Sequence, residues 1–250
     1  MNIEQYLKRI EYRGNVKTDL NCLMQLHKSH VMAIPFEALD AQLGRKINLD
    51  IPSVFEKVIV QKRGGYCYEL NHLFHTLLTT IGFENHLISA RVYDDGKYGP
   101  ASDHMAIVVN LDGEWLVDVG YGDLFIEPIR LQHNLEQEDH FKLYKIQRLN
   151  THEAILHESL KKNIDYRIRY LLDTRKRQIA DFEEQNRFKQ SSPDSHFVKN
   201  RICTIATKTG RKTILNETFK VKQNENLMSR VIENEKDLHQ ILAQEFDIRL

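Results

Sequence analysis

The sequence predicts an α+β protein with a helical first third, an antiparallel β-sheet middle third curled into a barrel, and a mixed final third. Three observations carry this. Apolar residues recur at helical spacing as far as Ile81, and from about Asn85 the period shortens to β-branched and aromatic runs broken by Asp, Gly and Pro. After Ser191-Ser192-Pro193-Asp194, strand-like runs precede a closing helix. A chain of 250 residues can bury a substantial core divided among about two or three subdomains, with expected limits 1–84, 85–188 and 189–250.

Thr18-Asp19 opens a helical pattern through Leu20, Leu23, Met24, His27 and Val31. It stops before Pro35, because proline forces Ile34 into an extended conformation. Asp50, Pro52 and a Ser53-x-x-Glu56 capping box signal a short helix with Val54, Phe55, Val58 and Ile59 as its apolar residues. Leu70, Leu73, Phe74, Leu77, Leu78 and Ile81 form one face of a further helix, which Gly82 ends. Strands are expected at His86 to Tyr93, Met105 to Asn110, Trp115 to Val119, Phe141 to Leu149 and Tyr166 to Leu172. The last third adds strands at Ile202 to Thr207 and Lys212 to Leu215, then a helix from Glu233 to Phe246.

Cys67 lies in Arg63-Gly64-Gly65-Tyr66-Cys67-Tyr68-Glu69-Leu70-Asn71, in the first turn of the helix that Leu70 begins to mark. A lone cysteine on a helix face is commonly a small buried hydrophobe. The glycine pair before it argues for more, since it implies a sharp turn or a close backbone approach. At a helix start, unpaired N–H groups and the dipole favour the thiolate that attacks carbonyls. Lowering a thiol pKa by two units takes about 2.7 kcal/mol, more than a helix end supplies, so a second cation is expected, most naturally an imidazolium. Cys22 and Cys203 have no such setting and read as packing residues.

The imidazole comes from a register argument. A two-residue turn at Asp112-Gly113 would put His104 and Asp118 on opposite faces of their hairpin. A three-residue loop pairs Asn110 with Glu114 instead. It gathers Met105, Ile107, Val109, Trp115, Val117 and Val119 on one uniformly apolar face, and His104, Ala106, Val108, Leu116 and Asp118 on the other. The pattern selects this register, in which Asp118 lies opposite Ala106 and diagonal to His104, within reach of the ring.

Lysine plus arginine and aspartate plus glutamate both number 35, so nothing argues for a nucleic-acid surface. The basic run Lys208-Thr209-Gly210-Arg211-Lys212 reads first as a solvated turn, with contact to a phosphorylated cofactor as its functional alternative. Three cysteines without a C-x-x-C pair speak against a disulfide framework or a cysteine-rich metal site, and no metal is expected. The N-terminus lacks a signal-like pattern and no apolar run approaches membrane-spanning length, so the expectation is a cytoplasmic protein away from membranes.

These residues resemble the arylamine N-acetyltransferases. The likeness rests on the Arg-Gly-Gly-x-Cys-x-Glu-x-Asn signature at Arg63 to Asn71, on His104, and on Val-Asp-x-Gly at Val117 to Gly120. It extends to Tyr6 through Ile10, to Leu26-His27 through Ile34-Pro35-Phe36-Glu37, and to Ser192-Pro193-x-Ser195-x-Phe197. The resemblance implies a helical bundle, a β-barrel and a C-terminal α/β lid around a cysteine-protease-like core, with a Cys67–His104–Asp118 triad. It implies acetyl transfer from acetyl-CoA to arylamines, N-hydroxyarylamines or arylhydrazines. Backbone N–H groups of Cys67 and Tyr68 are the expected oxyanion donors. Arg63 is expected to pair with Glu37 and hold the loop, and Phe36, Phe125, Gly120 and Gly122 to meet substrate. A triad alone also fits a cysteine hydrolase, a transglutaminase-like acyltransferase, or a silent relative that only binds CoA or an aromatic ligand.

Overall fold

A computed structural model describes residues 1–139, 142–160 and 163–250. Helices α1 (Ile3–Arg9), α2 (Leu20–Ala33), α3 (Leu39–Gln42), α4 (Ile51–Phe55) and α5 (Cys67–Ile81) fill the first third, with one short strand, β1 (Phe36–Glu37), between α2 and α3. Asp19 caps α2 through a bond from the Cys22 N–H (2.8 Å). The Ser53 box is not used as a cap. Asp50 caps α4 instead, accepting the Ser53 N–H at 2.9 Å, and a π-helical turn at Glu56–Val60 follows. Pro52 suits that earlier start, because its missing N–H falls in the first turn.

The middle of the chain is an antiparallel sheet closed almost into a barrel. Its strands are β2 (Glu84–Asp94), β3 (Lys97–Tyr98), β4 (His104–Leu111), β5 (Gly113–Val117), β6 (Ile129–Arg130), β7 (Glu136–Asp139), β8 (Lys142–Arg148), β9 (Glu153–Leu160) and β10 (Asn163–Arg177). They run in the order β6-β5-β4-β2-β10-β9-β8-β7, with β3 beside β2. Phe141, expected to open a strand, lies outside the described residues. The seam between β6 and β7 is closed by one side chain. The Gln137 amide accepts the Arg130 N–H (2.7 Å) and donates to the Arg130 carbonyl (2.9 Å), replacing a ladder that the two edges do not form.

The β4–β5 hairpin has the expected register, with Asn110 opposite Glu114 and Gly113 at φ +95°. Both of its faces are buried. Met105, Ile107, Val109, Trp115, Val117 and Val119 pack on the helices, while Ala106, Val108 and Leu116 fill the barrel with Tyr144 and Tyr170. A one-residue slip would exchange these two cores, which fixes the register.

The last third holds a 3₁₀ turn (Ile179–Phe182), α6 (Glu183–Ser191), α7 (His196–Lys199), strands β11 (Ile202–Thr207), β12 (Gly210–Leu215), β13 (Thr218–Gln223) and β14 (Asn226–Val231), and α8 (Glu235–Phe246). Pattern reading overlooks β13, β14 and α6, whose residues are mostly charged or polar and carry little periodicity. The sheet order β1-β11-β12-β13-β14 draws β1 from the first third. Gln190 is a brace: its amide bonds both the N–H and the carbonyl of Ile47 (2.8 and 3.2 Å). Among the described residues no helix is long and apolar enough to cross a membrane.

The glycine pair has a packing cause. A Cβ on Gly64 would stand 2.1 Å from the Pro35 carbonyl oxygen, and the Gly65 carbonyl accepts the Glu37 N–H at 2.9 Å. Gly64→Ala should therefore cost about 1–3 kcal/mol, read as a lower urea midpoint at unchanged slope. A midpoint equal to wild type would refute this close approach.

Candidate active site

Cys67 is the first residue of α5, and the loop before it is held by buried charge. Arg63 donates to Glu37 from Nε (3.1 Å) and Nη2 (2.8 Å), and from Nη2 to Asp40 (3.0 Å). Lys57 bonds Asp40 and Glu69, each at 2.8 Å, and Glu69 accepts the Tyr66 N–H at 3.1 Å. Burial works against a charged Lys57, yet the charges of Glu69, Glu37 and Asp40 raise its pKa above the ordinary value. Burial likewise pushes the Glu69 carboxyl up, with Lys57 pulling it back. The Arg63–Glu37 pair was legible in the sequence; Asp40 and Lys57 were not, because they join only through the fold, and the local cap from Glu69 to the Tyr66 N–H went unread.

The strand register then delivers the second half of the site. His104 Nε2 lies 2.7 Å from Asp118 Oδ2, and Cys67 is near enough to the same imidazole to raise its pKa. With Nε2 taken by Asp118, Nδ1 is the nitrogen left to face the sulfur. Cys67, His104 and Asp118 are only 2, 3 and 2 % exposed as residues. Gly120 makes this closeness possible, since a Cβ there would stand 2.7 Å from the Cys67 Cα. The Gly120 placement is explained by helix packing, ahead of any contact with substrate.

The Asp118 carboxylate is saturated with donors. Oδ1 accepts the Asn71 side-chain amide (2.9 Å) and the Gly120 N–H (3.0 Å), and Oδ2 accepts His104 and the Tyr170 hydroxyl (3.3 Å). Asn71 also accepts the Val119 N–H at 2.9 Å and donates to the Met105 carbonyl, tying α5 to both strands. Tyr170 stacks on the His104 ring at 5.6 Å and Tyr121 meets it edge-on at 5.2 Å. Burial lowers the His104 pKa, but the Asp118 charge and hydrogen bond, with the neighbouring Cys67, outweigh it and hold the ring at about 10.

His27 is a residue that sequence reading placed only in a helix face. Its Nδ1 meets the Ile126 carbonyl at 2.7 Å and its Nε2 accepts the Asp118 N–H at 3.3 Å. Those partners require the neutral Nδ1–H tautomer. Burial agrees, lowering the ring to about 4. Phe125 stacks on His27 at 5.6 Å rather than on the His104 ring, whose aromatic neighbours are Tyr121 and Tyr170. Phe36, Phe125 and Gly122 do share one cavity wall with Asp118 and Arg211. The Tyr68 hydroxyl donates to the carbonyls of Ser102 (2.8 Å) and Asp103 (2.9 Å), bracing the turn before His104. Ser195 caps α7 and sets Phe197 against Phe36 and Tyr66, with ring centroids 6.1 and 5.7 Å apart.

The family described as N-acetyltransferase matches residues 19–250. Arylamine N-acetyltransferase 1 of Homo sapiens is 30 % identical over 275 residues, covering 100 % of this chain and 95 % of its own length. Its Bos taurus counterpart is 31 % identical over 276 residues with the same coverage. The chain belongs to the arylamine N-acetyltransferase family. Solved structures agree: the enzyme from Salmonella typhimurium superposes with a TM-score of 0.91 at 28 % identity, covering 98 % of this chain and 90 % of that one. The Mycobacterium marinum enzyme in complex with CoA gives 0.91 at 25 % identity, covering 99 % and 93 %.

Two buried histidines, His104 and His27, contribute to this arylamine N-acetyltransferase's stability profile with opposite signs. The raised His104 pKa stabilises the fold fully below about pH 6.5 and no longer above about pH 10; the lowered His27 pKa stabilises it above about pH 6.5 and is lost toward about pH 4. Stability should peak near pH 6.5, and Asp118→Asn should lower the His104 pKa and flatten the alkaline fall. Histidine NMR titration with urea melts across pH checks both; an unmoved His104 titration would refute the coupling.

Proposed function

We propose that this protein transfers acetyl from acetyl-CoA to arylamines, N-hydroxyarylamines and arylhydrazines by a ping-pong reaction through acetyl-Cys67. The observation that carries the reading is the convergence of three side chains, with Cys67 at a helix N-terminus beside a His104 ring that is hydrogen-bonded to Asp118. His104 takes the thiol proton at Nδ1, and Asp118 holds the Nε2–H and the imidazolium charge. The thiolate adds to the thioester carbonyl, and the N–H groups of Cys67 and Tyr68, unpaired at a helix start, hold the oxyanion. Collapse breaks the bond to the coenzyme sulfur, which leaves with the proton from His104. The amine then adds to acetyl-Cys67 and gives its proton to His104, the amide departs, and the cysteine is restored.

In this scheme residues 1–84 supply the nucleophile, 85–188 the imidazole and carboxylate, and 189–250 close over them. Arg63 positions the loop and touches no substrate. Phe36, Phe125 and Gly122 form the wall that an aromatic acceptor meets, and Gly120 lets that wall approach the sulfur. Burial of the triad favours an amine acceptor over water, because a nearly sealed sulfur ester is shielded until an acceptor displaces its cover. The complete triad argues against a silent ligand-binding relative.

Mixing the protein with acetyl-CoA should yield a species about 42 Da heavier at Cys67, discharged by an aromatic amine and far more slowly by water. Cys67→Ala should abolish the adduct, and His104→Ala or Asp118→Ala should slow turnover by about three orders of magnitude while the fold persists. An adduct on another residue, or unchanged turnover in Cys67→Ala, would overturn the mechanism.

A further inference from the structure

The loop that follows Asp118 leaves β5 after Val117 and rejoins the barrel at β6, and several of its residues border the triad or the cavity beside it. Gly120 lies against the Cys67 backbone, and Tyr121 meets the His104 ring edge-on at 5.2 Å. Gly122, at φ +97°, lies against the Phe36 ring, and Leu124, Phe125 and Ile126 line the cavity that Phe36 and Asp118 share. A loop of this kind has no ladder to fix it, so its place depends on what holds its backbone groups.

One imidazole holds both ends. His27, reaching in from α2, accepts the Asp118 N–H at Nε2 (3.3 Å) where the loop begins, and donates from Nδ1 to the Ile126 carbonyl (2.7 Å) where it returns. Because both nitrogens belong to one rigid ring, the spacing of the two loop ends is set by that ring. Only a neutral imidazole offers an acceptor and a donor together. Its plane is fixed as well: Phe125 stacks on it at 5.6 Å and 24°, and Phe74 meets it edge-on at 6.1 Å and 87°. The Ile126 N–H is taken by Asp139, so this residue is gripped at both of its backbone groups. At the surface the next residue of each segment repeats the contact, with Lys28 and Glu127 paired at 2.9 Å. His30, three residues along α2 and equally buried, makes a contrast. Its Nδ1 meets the Tyr6 hydroxyl at 2.7 Å, and its Nε2 has no hydrogen-bond partner among the described residues.

We propose that His27 is a positioning residue for acyl transfer, a bolt across the loop ends that sets the triad carboxylate and the acceptor wall against each other. The proposal rests on the acetyl-transfer reading and extends it to a side chain one step removed from the triad. The two nitrogens have separate duties. The Nε2 bond fixes the Asp118 main chain, and with it the carboxylate that orients His104; the Nδ1 bond fixes the segment that carries Phe125. Loss of the first misplaces the general base and slows acetylation of Cys67, whereas loss of the second loosens the wall that an aromatic amine meets.

Single-turnover kinetics would measure the half-reactions separately, acetyl-Cys67 formation from acetyl-CoA and its discharge by an aromatic amine, in His27→Asn, His27→Gln and the matched control His30→Gln. The asparagine amide nitrogen takes the place of Nδ1 and retains the Ile126 bond; the glutamine carbonyl oxygen reaches the place of Nε2 and retains the Asp118 bond. His27→Asn should impair acetylation about tenfold more than amine capture, and His27→Gln should show the reverse ratio. The His104 titration should move further in His27→Asn than in His27→Gln, while His30→Gln lowers the urea midpoint without splitting the two steps. NMR of the ring nitrogens in wild type gives an answer that needs no variant to fold. The bolt requires a proton on Nδ1 of His27 and a hydrogen-bonded acceptor at Nε2, and an Nε2–H or doubly protonated ring at neutral pH overturns it. Equal loss in both half-reactions for both His27 variants, in step with the urea midpoint as in His30→Gln, also overturns it and leaves His27 a packing residue. Wild type that gains no acetyl group on Cys67 removes the functional reading instead, while the tautomer and the His104 titration still report on the bolt.

Discussion

Everything at the centre of this protein depends on burying one carboxylate without leaving it short of donors. Asp118 is 2 % exposed, and its two oxygens meet an imidazole, an amide, a backbone N–H and a phenol. A carboxylate stripped of water is tolerable only when such partners are fixed in place. Those partners come from α5, β4, β10 and the loop after β5, so satisfying Asp118 is the same act as assembling the fold. The charge that results holds His104 protonated well above its ordinary range, which is what a neighbouring thiol needs to ionise.

A second buried network supports the first from the opposite side of the cysteine. Glu37, Asp40, Lys57, Arg63 and Glu69 lie together beneath the loop that leads into α5. Such a cluster is weak evidence for net stability, because desolvation offsets much of the attraction. Its value here is positional. It fixes where α5 begins, and so where the first N–H groups of that helix lie. The glycine pair serves the same end by letting this loop lie against the chain at Pro35 and β1.

The lid sheet shows a different logic, with neighbouring basic residues meeting unlike partners. Lys212 and Arg211 are neighbours in sequence, yet strand alternation sends one to Glu245 and the other toward Gly122 and the barrel. The local sequence Lys208 to Lys212 carries no hint of this difference, since which basic residue finds a carboxylate is decided by what packs on each face of the lid sheet. His27 and Asn71 teach the same lesson. Helical periodicity gives neither a role, and each proves to be a strut of the Asp118 site because a distant strand is laid beside it.

The sequence by itself determined the period changes that divide helices from strands, the caps at Asp19 and Asp50, the helix start that carries Cys67, and the hairpin register that brings Asp118 diagonal to His104. These follow from interactions within a few residues or across one tight turn, where alternation of apolar side chains leaves a single register. The tertiary structure alone decided that Cys67 meets that ring, that β1 joins the lid sheet, that Gln137 closes the barrel seam and that Arg211 faces a cleft. Apart from Gln137, which reaches back seven residues to Arg130, those contacts join segments separated by tens of residues, and no local period encodes them. They exist because burying several faces at once leaves few ways to satisfy every charge and backbone group.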